Sequence, residues 1–303
     1  MSTTNFPNGV SSFGVPVLGS GPIFTTGNIF FVDSGAANAT DNPNRGSKDE
    51  PFATIDYAIG RCTANNGDHI IVMPGHAETV SAASGIDFDV AGITLVGLGK
   101  GASRPTITHS ATGSTLVIDA ANTHIENLLF TPSAASTIII DLNAADCTIK
   151  DCEFRMATAV TAIDVDGGAA NACDRTKIIG NIFDGSTDGP DEAIHLNEVA
   201  DSVIIANNTA YGLFDDACIH NPTGSVLTWL QIYDNVLVNG TAASHSIELV
   251  SACTGVIAGN MMGNPLDDVT NTGLDGGACY MLENYGHDVT ADVSGTLSPV
   301  ADA

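Results

Sequence analysis

Eight ionisable residues recur in a pattern that could support acid–base or metal chemistry. Asp164, His195, His220 and Glu248 each follow an isoleucine, while Asp191, Glu192, Asp215 and Asp216 stand just ahead of two of those pairs. Paired carboxylates can divide the work of breaking a glycosidic bond, one protonating the leaving oxygen while the other activates water or attacks. Asp215 and Asp216, with the nearby His220, are the candidates for those roles. His195 and His220, flanked by Asp164 and Glu248, form a second candidate, a two-imidazole seat for a divalent metal. The plainer account is a solvated row of short polar side chains. No residue after 177 is Lys or Arg, and no G-x-S-x-G, H-E-x-x-H or P-loop motif supplies a nucleophile, a zinc site or a phosphate cradle.

Positioning such a row requires a repeating backbone. Seven segments align without gaps on Ile93, Ile125, Ile149, Ile178, Ile205, Ile232 and Ile257. Five residues after each lies an apolar or small side chain, from Leu98 through Phe130, Phe154 and Phe183 to Met262. Positions five apart on one strand face opposite sides, so a chain that buries both must turn between them. Two residues after the isoleucine come Asn127, Asp151, Gly180, Asn207, Asp234 and Gly259, types that tolerate a left-handed backbone. The next position reads Asn181, Asn208, Asn235 and Asn260 in four successive segments, which predicts a stacked ladder of side-chain amides.

A second strand precedes each corner: Ile118-Asp119, Ile140-Asp141, Ile163-Asp164, Ile194-His195, Ile219-His220 and Ile247-Glu248. An apolar residue followed by an ionisable one suits a strand with one buried and one wet face. Short strands, Gly/Asn/Asp corners and a period near 27 residues predict an all-β right-handed parallel β-helix, a solenoid. Roughly nine coils at ~4.8 Å spacing give a rod about 40 Å long. Pro51 to Gly60 predicts a short N-terminal capping helix, with Pro51 in its first turn. Gly97 to Ala102 matches a dinucleotide-binding pattern but leads into Arg104-Pro105 and a strand; it reads as a solenoid turn.

The block Ile29 to Asp33, Pro51 to Ile55, Gly67 to Val72 and Pro74-Gly75 resembles the opening of pectin-lyase-like parallel β-helix proteins, and with the coils the resemblance covers residues 28 to about 290. Within that class the chain looks most like virion proteins of tailed bacteriophages, a likeness carried by Asn5 to Val10 and by Gly97 to Gly101 followed by Arg104-Pro105. The segment Phe214 to Ile219 also looks like the paired-aspartate segment of polygalacturonase-type hydrolases, although that family's Gly-His-Gly and Arg-x-Lys segments are missing.

Composition bounds the partners. The 303 residues carry 9 Lys+Arg against 35 Asp+Glu, a net charge of −26. Nine scattered cations cannot track a phosphate backbone, so neither nucleic acid nor an anionic membrane is expected as a partner. Seven cysteines without a close pair read as free, mostly buried thiols, and no cofactor motif is present. Residues 1–27 form an extended arm with Phe6, Val10, Phe13 and Val15 as anchoring side chains, and residues 28–303 form the β-helix domain, ending in a polar tail from Gly286.

The resemblance and the missing motif partners together imply a non-enzymatic structural protein of a phage virion. The expected form is a homotrimeric capsid decoration or spike, anchored by its arm to the major capsid protein or another virion subunit. Such a protein is assembled in the host cytoplasm and exposed on the particle surface. The alternatives are a tailspike-type polysaccharide depolymerase and an adhesin that binds a host glycan.

Overall fold

The computed structural model describes residues 11–12, 15–16, 25–132, 137–168, 172–185, 189–221, 224–241, 244–250, 252–264, 273–288 and 293–297. Three parallel sheets run the length of a right-handed β-helix. The first, of ten strands, runs from Ile29–Val32 to Tyr280–Leu282; the second, also of ten, from Ala77–Val80 to Val293–Leu297; the third, of eight, from Ile86–Phe88 to Leu274–Gly276. The eight strands of the third sheet mark eight complete three-strand coils among the described residues, slightly fewer than the sequence suggests. The last strand, Val293–Leu297, pairs antiparallel with Asn284–Asp288, so ordered structure continues past Gly286, where a polar tail was expected.

Register follows the hydrophobic pattern, because a one-residue slip would expose every core side chain. Ile125, Ile149, Ile178, Ile205, Ile232 and Ile257 stack in the first sheet. Ile93 does not join them: Leu95 is the residue opposite Ile125, and Ile107, not Leu98, lies opposite Phe130. The cause is the irregular stretch after Gly97, which holds the 3-10 turn Gly101–Ser103 before the strand Thr106–His109. That turn also disposes of the dinucleotide pattern, which needs a helix there. A similar shift applies in the third sheet, where Leu116-Val117 stands opposite Ile140-Asp141 and Asp119 is off the row.

The corner between the first and second sheets is tight because Asn127, Asp151, Asn207 and Asp234 adopt φ of 52–60° there. Behind it runs the amide ladder. Asn208 donates from Nδ2 to Ile178 O (2.9 Å) in the coil before and to Asn235 Oδ1 (3.0 Å) in the coil after, while its own N–H reaches the same Oδ1. Asn181, Asn235 and Asn260 repeat the arrangement, and Asn284 closes it. These amides are fully buried, so each hydrogen bond replaces one to water that the core would otherwise forfeit. Beside them Phe130, Phe154 and Phe183 stack at centroid distances of 4.9 Å.

The N-terminal end is covered by one turn of helix, Ile55–Ile59, whose Ile55, Ala58 and Ile59 are buried. Its N-cap is Thr54, which accepts from Tyr57 N. Pro51 lies ahead of the helix, not in its first turn, because Phe52 bridges Val32 and extends the sheet edge first. Of the arm, Phe6, Val10 and Phe13 lie outside the described residues. Val15 belongs to a two-residue strand paired antiparallel with Ser11–Ser12.

Candidate functional site

The third sheet carries the chemistry. Its outward row, read coil by coil, is Asp87, Val117, Asp141, Asp164, His195, His220, Glu248 and Asp275. Parallel pairing without a slip places each side chain directly above the next, so like charges accumulate. Burial first, then Asp164, pushes the Asp141 carboxyl up to about 6.

Midway along the row, two imidazoles break the run of carboxylates. Their rings lie 5.7 Å apart, tilted by 27°. His195 Nδ1 is 3.0 Å from Asp164 Oδ1, and His220 Nδ1 is 3.1 Å from Glu192 Oε1. Burial works against charging His195, but the hydrogen bond and charge of Asp164 outweigh it and raise its pKa. Burial likewise opposes ionisation of Glu192, yet the hydrogen bonds from His220 and Thr161 prevail and hold its carboxyl low. Glu192 is 5% exposed. Thr161 Oγ1 donates to its second oxygen, so both oxygens are occupied.

The loops ahead of this row bring three more carboxylates alongside. Asp216 N donates to Asp191 O (3.3 Å) and Asp215 N to Pro190 O (2.8 Å), which locks the two loops of adjacent coils together. Gly189 makes room: a Cβ there would stand 3.0 Å from Asp215 Oδ1. Burial and the neighbouring Glu192 charge, with a hydrogen bond to that same carboxylate, push the exposed Asp216 up. Burial, then Glu192, Asp216 and Asp215, does the same to Asp191. The result is a buried carboxyl held low beside a surface carboxyl pushed up, two environments that set neighbouring acids apart.

The structure thus brings His220 and Asp216 beside Glu192, with Asp215 next to them on the same loop. Glu192 is visible in the sequence only as one of the loop carboxylates, because the period-two reading gives the outward row to the position after the isoleucine. Glu192, His195 and His220 each offer a ligand atom, all within 4.8 Å of one another, a spacing a divalent cation could use. Glu248, expected to flank such a seat, turns instead toward His245, whose Nδ1 lies 3.5 Å from its Oε2. The Nδ1 atoms of His195 and His220 and both Glu192 oxygens have protein partners, so the cluster as it stands is two hydrogen-bonded acid–imidazole pairs stacked ring on ring. The cysteines are free, and six of the seven are buried. Burial pushes Cys152 up to about 12 and Cys147 up to about 11, so neither is a ready nucleophile.

No family model matches this chain, and no curated protein matches its sequence. Among solved structures, a pectate lyase, Pel9A, superposes with a TM-score of 0.54 at 11% identity, over 91% of this chain and 82% of its own. Escherichia coli YbhC matches with a TM-score of 0.49 at 11% identity, covering 95% and 90% of the two chains. ORF18 of Geobacillus virus E2 matches with a TM-score of 0.38 at 12% identity, covering 86% of this chain and 62% of that one. At these identities the pectate lyase likeness shows the fold, a pectin-lyase-like parallel β-helix, and nothing about substrate. It does overturn the expectation of a non-enzymatic chain. The architecture taken as purely structural is shared over nine-tenths of its length with an enzyme, and the missing Lys and Arg exclude particular mechanisms only.

Proposed function

We propose that the protein is a carbohydrate-active β-helix of the tailspike type, hydrolysing a host surface glycan on the outer face of its third sheet. One observation supports this reading: the loop bearing Asp215 and Asp216 is locked onto Pro190 and Asp191, beside a buried Glu192 carboxylate that accepts from Thr161 and pairs with His220. Burial and the nearby Glu192 charge push the Asp216 carboxyl up, the direction a general acid needs. In the proposed step Asp216 delivers that proton to the glycosidic oxygen as the bond from the anomeric carbon breaks. Asp215 takes a proton from water while the remaining hydroxyl adds to that carbon. Glu192 is a positioning residue, its charge favouring the protonated form of Asp216 without touching substrate.

The absence of Lys and Arg from the outward row of this face favours a neutral glycan over a polyuronate, which a row of carboxylates would repel. The virion setting rests on the resemblance of the opening segments. Incubating the purified protein with capsule and envelope glycans, followed by mass spectrometry, tests the reading: oligosaccharide fragments are expected. Intact glycans that nevertheless bind would instead identify an adhesin and overturn hydrolysis.

A further inference from the structure

The chemistry of the third sheet makes no use of His76, yet this side chain is wholly enclosed, with 1% of the residue exposed. It stands immediately before the second-sheet strand Ala77–Val80. Both ring nitrogens are occupied. The backbone N–H of Ser34 donates to Nδ1 (3.0 Å), and Nε2 lies 3.1 Å from Glu78 Oε2. A backbone amide nitrogen only donates, so Nδ1 presents its lone pair and the ring proton sits on Nε2. In this arrangement His76 is neutral, accepting from Ser34 and donating to Glu78.

These contacts close the N-terminal cap. Three successive residues, His76, Ala77 and Glu78, hold the capping segment at both of its ends. At the start, Ser34 Oγ accepts from Ala77 N and donates to Ala77 O, both at 2.9 Å. At the other end, Glu78 Oε2 also accepts from the N–H of Ile55 (3.0 Å), the first residue of the helix. Between the two lies the buried Phe52, and beyond them Ala58 and Ile59 complete the cover over the core. Inside the segment Asp41 Oδ1 accepts from the N–H groups of Ala53 and Thr54, and Arg45 pairs with Glu50.

We propose that His76 is an acid-sensitive latch on this cap. A proton added at Nδ1 turns the acceptor of the Ser34 N–H into a second donor aimed at it, so the bond is lost and two buried N–H groups face each other. The Nε2–H bond to Glu78 survives, so acid frees the start of the segment and keeps its helical end. The surrounding groups do not duplicate this response. His69, on a strand packed against the helix, has Nδ1 3.0 Å from Gly67 O, a carbonyl to which an imidazolium donates equally well. His109, on the strand paired with Ala77–Val80, resists charging because burial outweighs its bond to Ser114 O. Arg104, just ahead of that strand, is turned to Glu153 (3.1 Å). Asp33 accepts from Gly35 N (2.9 Å) within its own turn. Burial, then Asp119, Asp89 and Asp56, pushes Asp87 up, but Asp87 reaches the helix through its backbone N–H, which Asp56 Oδ1 accepts.

Hydrogen exchange of the full chain, read by mass spectrometry at about pH 8 and about pH 5, spans the range in which imidazoles titrate and tests the latch. After correction for the intrinsic effect of pH, peptides around Ser34 are expected to lose protection roughly ten- to a hundredfold in acid. Peptides from the later coils keep theirs. His76→Asn retains an acceptor near the Nδ1 position but takes up no proton, so its cap protection is expected to be equal at both pH values. Glu78→Gln keeps an acceptor for Ile55 N and leaves His76 free to charge, so the wild-type response persists. Equal cap protection at both pH values in the wild-type chain overturns the latch, as does a loss spread evenly over all coils. A folded His76→Asn protein that opens like the wild type, or a folded Glu78→Gln protein that no longer responds, overturns it too. Where His76→Asn does not fold, the wild-type comparison of cap with later coils decides.

Discussion

His220 Nδ1 and Glu192 Oε1 lie 3.1 Å apart, joining a strand residue of one coil to a loop residue of the coil before. Through that contact the imidazole helps hold the buried carboxyl low, and the Glu192 charge in turn pushes Asp216 up. Replacing Glu192 with Gln removes the charge but keeps the shape. The expected result is a fall in cleavage rate that is steepest on the alkaline side, because Asp216 then loses its proton at lower pH. The pH–rate profile checks this. A uniform loss at every pH would point to a structural effect instead.

The amide ladder contributes to stability through satisfaction of buried groups. Asn208→Ala or Asn235→Ala leaves a coil carbonyl and a backbone N–H without partners inside the core, at a cost of about 2–4 kcal/mol. Asn284→Ala, at the end of the ladder, likewise strands Ile257 O and Asn260 N but has no onward amide bond to lose, as Asn208 has to Asn235, and costs somewhat less. Urea midpoints of the three variants measure the difference.

Two carboxyls pull stability in opposite directions with pH. Burial opposes ionisation of Asp68, but N–H groups of Thr63 (2.7 Å) and Asn28 (2.6 Å), with the Asn66 amide (2.7 Å), outweigh it and lower its pKa. Its contribution is therefore present above the unfolded carboxylate range and lost as pH falls through the lowered value. Asp68→Asn is expected to be destabilising at neutral pH and to lose that effect in acid.

Asp141 behaves in the reverse sense, with its carboxyl pushed up to about 6. The folded state binds the proton more tightly, so stability declines as pH rises from the unfolded value through about 6. Asp141→Asn removes that decline. It should stabilise the protein at pH 7 by about 1 kcal/mol, allowing for solvent screening of a half-buried group, and by nothing below pH 4. Thermal midpoints at the two pH values check the sign.

With both histidine Nδ1 atoms and both Glu192 oxygens hydrogen-bonded to protein groups, dialysis against a chelator should leave both melting temperature and glycan cleavage unchanged. Loss of either, restored by a divalent cation, would give the cluster a metal role.

Much of the fold could be read from the chain because a solenoid writes its geometry as a period. Asn181, Asn208, Asn235 and Asn260 share one register, and the left-handed corner before them requires Gly, Asn or Asp. The reading failed where the period breaks. Asn284 was missed because Met281 replaces the isoleucine three residues before it, and Ile93 was misplaced because the turn at Gly101 adds residues to that coil. The row of ionisable residues on the third sheet was legible for the same reason as the ladder. Glu192 was legible only as one of the loop carboxylates, because its importance comes from Thr161 and His220 in the neighbouring coils, contacts that no local spacing encodes.

The central claim is hydrolysis at Asp216, and cleavage carried out in oxygen-18 water tests it most directly. The account predicts fragments that each gain one heavy oxygen at the new reducing end, with the rate falling roughly 10²–10⁴-fold in a folded Asp216→Asn protein. Fragments with an unsaturated end and no heavy oxygen would contradict it, as would an Asp216→Asn protein that cleaves at the wild-type rate.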